Sequence, residues 1–453
     1  MKKYENKKVT VLGLSERTGI AVTEKLIEIK AQVMVSDIKK SDQLKPQLAI
    51  LKKHDNIKYD LGGHSEKILD SDLIVLSPGV PPNLDILCRA EKLGIEIISE
   101  IELAYRLTDA NIIGITGTNG KTTVTSLAGH LLKENLDNKV RVAGNIGSPL
   151  IAEINGMGKN DWLVAELSSF QLEKIKYFKP EISVFINFAP DHLDRHITGQ
   201  NYWKAKKRIF ENQSKKDKAI INIDDNFLRE KIADIKAELY KVTNKYEIDR
   251  GVYFDQEKIS LFKEGKQEPI IETKDIPLVG THNILNTAFA VLLAKIFNIK
   301  NDNIRQAVIS YQAFAHRLEI IYDQEYRIID DSKATNPHAA VNALRSLDAP
   351  IILIVGGQDR QADFSNLAYT IRERVHKVII MGETKYKIKH ALQQVGCNNF
   401  EIVKNMQAAV RSSLIDIKKG YTVLLSPACP SWDMYESYKK RGKDFQKEVK
   451  RYL

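Results

Sequence analysis

The sequence is poor in cysteine: 453 residues hold three, Cys88, Cys397 and Cys429. Their positions show no paired spacing, which argues against a disulfide framework or a cysteine zinc site and fits a reducing cytoplasm. Long apolar runs are also missing. None approaches the ~20 residues that span a bilayer, so no membrane segment is expected. The amino terminus, Met1-Lys2-Lys3-Tyr4-Glu5-Asn6, is charged but leads into no signal region; Val9 to Leu12 is too short and reads as a strand. There is no internal repeat, no low-complexity linker, no arginine-rich tail and no aromatic nucleic-acid motif. Net charge is +10, but Lys and Arg are spread along the chain. The excess reads as a solvated surface with local clefts for acidic small molecules, and no nucleic-acid partner is expected. What is present is a globular composition, 43% hydrophobic and 28% charged, too long for one core. Length alone predicts about three domains.

One stretch organises the rest. Ile112 to Thr123 reads IIGITGTNGKTT: a short buried strand, a glycine turn, then Lys-Thr-Thr opening a helix from about Val124 to Leu132. Gly117, Thr118, Asn119 and Gly120 let successive backbone N–H groups face one point. The helix N-terminus and Lys121 add positive charge there, and the Thr122 hydroxyl is placed to hold a phosphate-bridging magnesium ion. The common phosphate-loop pattern needs glycine at 115, where this chain has isoleucine. Strand, glycines, Lys121-Thr122-Thr123 and helix nevertheless arrive in the order a triphosphate site requires.

Further polar residues follow predicted strands. Gly144-Asn145-Ile146-Gly147 brackets an asparagine with glycines, allowing close ligand approach. The strand Trp162–Ala165 ends in Glu166, a position where such sites hold magnesium, and Ser168-Ser169-Phe170-Gln171 follows. Glu181 to Phe188 runs into Asp191-His192-Leu193-Asp194-Arg195-His196, a crowding of His and Asp that points to metal or phosphate. Trp203 to Arg208 opens a basic helix. Residues 239 to 279 carry alternating patches that predict a small antiparallel sheet on the parallel one. The helix opened by Gly280-Thr281-His282 places Asn283 and Asn286 at i, i+3, where amides can read an adenine edge.

The first segment starts with strand Val9–Leu12, a glycine turn and an amphipathic helix, and its second strand ends in Asp37. That is a nucleotide-diphosphate crevice without the dinucleotide fingerprint, because Ser15 stands where the second glycine belongs. Ser77-Pro78-Gly79-Val80-Pro81-Pro82 after Leu73–Leu76 reads as a rigid crevice loop. In the last segment, strands near Arg327–Ile329, Ile351–Val355, Val378–Met381 and Val423–Leu425 alternate with helical patterns. Asp330 to Asn336, Gly356 to Arg360 and Ser426 to Trp432 follow those strands. Arg360 is suited to clamping a carboxylate.

With these motifs assembled, the chain resembles the Mur ligase family of peptidoglycan synthesis over nearly its whole length. The resemblance rests on Thr116 to Thr122, Gly144 to Gly147, Glu166 to Glu173, Asp191-His192, His282-Asn283, His316-Arg317, Asp331 to Asn336 and Leu425 to Cys429. It implies an α/β protein of three domains. A Rossmann-like 1–108 would hold the UDP-substrate, a central 109–313 with a P-loop ATPase-type sheet would hold ATP, and a Rossmann-like 314–453 would hold the amino acid. It implies a cytoplasmic, monomeric amide ligase that uses ATP to add D-glutamate to UDP-N-acetylmuramoyl-L-alanine through an acyl phosphate. By matching positions, the resemblance assigns Thr122 and Glu166 to one magnesium ion, and His192 with a carbamylated Lys206 to a second. Lys121, Glu166, His192 and Lys206 would be the catalytic set. Gly117 to Thr123, Asn283, Asn286, Arg317, Asp331 and Lys333 would hold ATP. Asn145 and Ser168 would meet the UDP-substrate, and Ser15, Thr18, Asp37 and Lys39 its uridine. Thr335, Arg360, Ser431, the Trp432 backbone and Tyr438 would take D-glutamate. A sister ligase for a diamino acid carries Asn-Pro-Arg near the third-domain glycine pair, where this chain has Gly356-Gly357-Gln358-Asp359-Arg360. A folate ligase would lack the uridine-type first domain.

Overall fold

The computed structural model describes residues 4–278, 280–312, 315–360, 362–415 and 417–453, without the side chains of Asp194, Thr281 and His338. The boundary expected between 313 and 314, and the Asp194 carboxylate, lie outside that description.

Three sheets follow one another along the chain. The first comprises β1 (Lys8–Leu12), β2 (Gln32–Asp37), β3 (Lys58–Leu61), β4 (Leu73–Leu76) and β5 (Glu96–Ser99). They hydrogen-bond in the order β3-β2-β1-β4-β5, all parallel. This order reverses direction at β1, and a crevice opens there at the strands' carboxyl ends. Helices Thr18–Glu28 and Asp85–Lys92 are among the connections. Gly19 sits where the first of them crosses the strand: a Cβ there would press on the Gly13 oxygen and the Leu14 backbone. That close crossing is why a glycine occupies the position.

The central sheet has nine strands: β6 (Asn111–Thr116), β7 (Val140–Gly144), β8 (Trp162–Glu166), β9 (Ile182–Phe185), β10 (Lys218–Asn222), β11 (Glu238–Thr243), β12 (Arg250–Phe254), β13 (Lys258–Lys263) and β14 (Lys266–Glu272). Their order is β14-β13-β12-β11-β10-β9-β6-β8-β7. From β7 to β12 the ladder is parallel, and β13 and β14 close it antiparallel. The small antiparallel sheet is thus the far end of the same ladder. Central strands such as Leu163–Glu166 are buried along their length, as a sheet covered by helices on both faces demands.

The third sheet orders β15 (Glu319–Asp323), β16 (Arg327–Asp330), β17 (Ile351–Val355), β18 (Val375–Ile380), β19 (Phe400–Ile402) and β20 (Thr422–Leu425) as β15-β16-β20-β17-β18-β19. Only β15 runs antiparallel to its neighbour. Apolar clusters cover both faces: Leu344, Leu367 and Leu392 on one, Met406, Val410 and Phe445 on the other.

The chain divides into two compact units, Met1–Ile276 with Ile284–Tyr311, and Pro277–Asn283 with Gln312–Leu453. The first holds two of the sheets, whose facing cores merge: Leu26, Leu103, Leu150 and Leu172 belong to one buried apolar cluster. Among the described residues, no helix is long and apolar enough to cross a membrane.

Candidate active site

Strand register brings the central residues together. Ile115 lies beside Glu166, and Glu166 beside Gly144. The glycine turn after β6, the last residue of β8 and the loop after β7 therefore share one carboxyl edge, the place where open parallel sheets bind ligands.

The turn is held from three sides. Gly120 takes φ +81° as the residue before helix Lys121–Asn135, a left-handed conformation that a side chain disfavours. A Cβ on it would also run into Asn286 Oδ1 from helix Thr281–Ile296. Asn187, just past β9, accepts from the Thr118 N–H at 3.1 Å and the Asn119 N–H at 2.8 Å through Oδ1. The Thr118 hydroxyl donates to Ala189 O at 2.9 Å. Asn187 carried no motif of its own; its signal was only that a neighbouring strand ends beside the turn.

Two amines converge on this turn. Lys121 Nζ donates to Gly117 O at 2.9 Å and to Thr118 O at 2.8 Å. Lys206, from helix Gly199–Lys207, donates to the same Gly117 O at 2.7 Å and to Thr116 Oγ1 at 3.2 Å. Lys206 is 1% exposed. Burial, then the charge on Lys121, holds its amine well below the ordinary lysine range, against the opposing pull of Asp191 and Glu166. Thr122 is buried close by in sequence.

Glu166 is buried as well. Its Oε1 accepts from Asn145 Nδ2 at 2.8 Å, and the Asn145 N–H donates to Glu166 O at 2.8 Å. Among the described residues, its Oε2 is buried without a hydrogen-bond partner. An orphaned carboxylate oxygen is costly unless a cation meets it. Hydroxyl and carboxylate oxygens are the donors that magnesium prefers, so these residues fit such an ion.

His192 has φ +52° at the start of the short helix Leu193–His196, and its side chain is half exposed. Its ring meets Phe170 edge-on at 5.0 Å and lies 6.2 Å from the Tyr202 ring. Lys206 Nζ stands 4.9 Å over that same tyrosine. Tyr202 therefore neighbours both His192 and Lys206. Ser168 caps helix Ser169–Leu172: its hydroxyl donates to Gln171 Oε1 at 3.0 Å and accepts the Gln171 N–H at 3.3 Å.

In the first sheet, Ser15, Thr18, Asp37 and Lys39 gather after β1 and β2. The buried Asp37 carboxylate accepts the Leu14 N–H at 2.6 Å and the Lys39 N–H at 2.8 Å, while Ser15 Oγ accepts the Gly19 N–H at 2.9 Å. Both Asp37 oxygens thus hold the crevice loops in shape.

The second unit has its own strand-end cluster. Asp331, after β16, accepts the Ser426 hydroxyl at 2.8 Å, and burial pushes its carboxyl up to about 7, partly countered by that bond and by Arg317. The adjacent Asp330 is bonded to His316 Nδ1 at 2.7 Å, and Gln446 Nε2 donates to Asp330 and Glu319, each at 3.0 Å. The Lys333 N–H donates to His316 O at 3.0 Å. A network invisible to motif reading thereby fixes the neighbours of Arg317, Asp331 and Lys333. The Arg360 guanidinium stacks over the Trp432 ring at 4.5 Å, with Trp432 59% exposed. Ser431 is buried, Thr335 and Tyr438 are half-buried, and the Tyr438 carbonyl accepts the Ser332 hydroxyl at 2.9 Å. Asn283 and Asn286 are both buried on helix Thr281–Ile296; the division between the units falls just after Asn283.

Residues 7–99 match the Mur ligase MurD-like N-terminal domain, 115–294 the Mur ligase middle domain, and 316–429 the Mur ligase glutamate ligase domain. The chain is 39% identical over 447 residues, 98% of each chain, to UDP-N-acetylmuramoylalanine–D-glutamate ligase of Clostridioides difficile. It is 40% identical over 450 residues, again 98% of each, to the protein of that name from Caldicellulosiruptor saccharolyticus. Among solved structures it is similar in fold to UDP-N-acetylmuramate–alanine ligase from Thermotoga maritima, with TM-score 0.59 and 18% identity over 99% of this chain and 100% of that one. A pseudomurein peptide ligase from Methanothermus fervidus gives TM-score 0.57 and 19% identity at the same coverage.

Proposed function

The chain belongs to the Mur ligase family of ATP-dependent ligases, and on that footing we propose how its residues join D-glutamate to UDP-N-acetylmuramoyl-L-alanine. The reaction serves peptidoglycan synthesis and proceeds through an acyl phosphate. A carboxylate oxygen is a poor leaving group. The alanyl carboxylate therefore attacks the γ-phosphorus of ATP, ADP departs, and the amine of D-glutamate displaces phosphate from the acyl carbon, losing one proton. Two anions must meet for the first step, so positive charge has to be fixed in place beforehand. Lys121 supplies it at the glycine turn, and the backbone N–H groups of Gly117 to Thr123 with the Lys121–Asn135 helix N-terminus add to it.

Thr122 and Glu166 would hold a magnesium ion that neutralises the phosphates. His192 and Lys206 would serve a second. The buried Lys206 amine, pushed toward its neutral form, is the species that adds to carbon dioxide; the carbamate so formed, with one proton released, turns a cation into an oxygen donor. Asn145 orients Glu166 and borders the UDP-substrate, with Ser168, and Ser15, Thr18, Asp37 and Lys39 border the uridine. Asn283 and Asn286 read adenine, and Arg317, Asp331 and Lys333 hold the rest of ATP. Thr335, Arg360, Ser431, the Trp432 backbone and Tyr438 receive D-glutamate.

The observation that carries this reading is the convergence of Lys121, Lys206, Glu166 and Asn145 on one edge of β6, β8 and β7. Phosphate release from ATP tests it. Release should require both UDP-N-acetylmuramoyl-L-alanine and D-glutamate; release driven by nucleic acid, or by neither substrate, counts against it.

A further inference from the structure

Arg195 has no part in the chemistry above, yet it joins three elements. Its guanidinium donates to Pro78 O at 2.8 Å and Val80 O at 3.0 Å, in the crevice loop after β4 of the first sheet. It also donates to Glu173 Oε2 at 2.7 Å, just past the Ser168-capped turn of the central sheet, and lies 4.3 Å over the Phe170 ring. Arg195 itself sits three residues after His192, on the helix Leu193–His196.

The other contacts of this helix reinforce the arrangement. His196 Nδ1 lies 3.4 Å from Glu173 Oε1, and His196 Nε2 is hydrogen-bonded to Ser169 Oγ at 2.9 Å. The His196 ring stacks on Phe170 at 5.4 Å, and His192 meets the same ring edge-on at 5.0 Å. Phe170 thus meets the rings of both His192 and His196, and Glu173 holds Arg195 and His196 of the same helix. Arg195 reaches across from this set to bond the first sheet's loop. A guanidinium is a rigid planar fork, so two carbonyls two residues apart can both be met only when that loop holds one shape.

We infer that Arg195 is a positioning residue: it ties the shape of the Ser77–Pro82 loop, which borders the UDP-substrate crevice, to the placement of His192. The inference rests on the ligase reading. Its consequence is that substrate seated against the first sheet sets the placement of His192, whereas among the described residues the Arg195 guanidinium donates to Pro78, Val80 and Glu173 and not to the glycine turn.

Steady-state kinetics of the full chain test this at saturating magnesium. Arg195→Met should raise KM for UDP-N-acetylmuramoyl-L-alanine and lower kcat, each about tenfold or more, while KM for ATP stays within about twofold. Glu173→Gln should move the same constants in the same direction. The double variant should be no worse than the poorer single one, because both cut one strut. Multiplying losses in the double variant, or a lower melting temperature with unchanged KM for the UDP-substrate, overturns the inference. If Arg195→Met does not fold, Arg195→Lys keeps the charge beside Glu173 and loses the fork. It should still raise that KM about threefold or more, and unchanged kinetics would again overturn the inference. Failure of the ligase reading is separable, because the unaltered protein would then make no product; that result takes this inference with it.

Discussion

Lys206 is a side chain whose chemistry departs from its type. Burial and the neighbouring Lys121 charge both disfavour its ammonium form, and the neutral amine is the form that the proposed carbamate requires. Lys206→Ala should therefore lower turnover by about two orders of magnitude, with partial recovery in added short carboxylates; unchanged turnover would falsify the carbamate. A second buried group is predicted to tune stability. The Glu100 carboxyl, opening the helix Glu100–Leu107, is pushed up to about 7 from its ordinary 4.5, chiefly by burial. The Ile151 N–H, 2.7 Å from Oε1, the Gln171 side chain and the Arg17 charge pull the other way. Between those two values the unfolded chain gives up the proton that the folded chain keeps. Folding stability from this group is thus present below pH 4.5 and declines as pH rises to about 7, by on the order of 3 kcal/mol. Glu100→Gln should flatten that decline in thermal melts at pH 5 and pH 8; an unaltered difference between the two would refute it. Neither environment was legible in the sequence, because both depend on what packs over the residue. Lys121, Thr122 and Glu166 were legible, since each follows a strand within a patterned stretch.

At the scale of elements, the glycine turn is specified by backbone geometry as much as by charge. Gly120→Ala places a side chain at φ +81° and against Asn286. The left-handed conformation alone costs about 1–2 kcal/mol. ATP affinity, read by calorimetry, should fall about tenfold or more, and an unchanged affinity would mean the turn does not cradle the nucleotide. The buried strands could be read from their apolar runs, as in Ile351–Val355. Edge strands could not: Lys58–Leu61 and Phe400–Ile402 are short and half exposed, so no run or alternation announces them. The same limit hid the continuity of the antiparallel strands with the nine-stranded sheet, which pairing decides and composition does not. Networks such as Glu173 with Arg195 and His196, or His316 with Asp330 and Gln446, join residues far apart in sequence and became visible only with the fold.

Across the whole molecule, the +10 charge has a local meaning rather than a global one. Lys121 and Lys206 converge on the glycine turn, while lysines such as Lys8 sit in exposed pairs, here with Asp70. Exposed pairs of that kind contribute little to stability. The three sheets repeat one device, polar residues at the carboxyl ends of parallel strands, and the ligase account distributes its three reactants over those edges. That assignment is tested most directly by incubating the protein with ATP, magnesium, UDP-N-acetylmuramoyl-L-alanine and one radiolabelled amino acid at a time. The account predicts incorporation of D-glutamate, with L-lysine, diaminopimelate and L-alanine at background; incorporation of any of those three in preference to D-glutamate would contradict it.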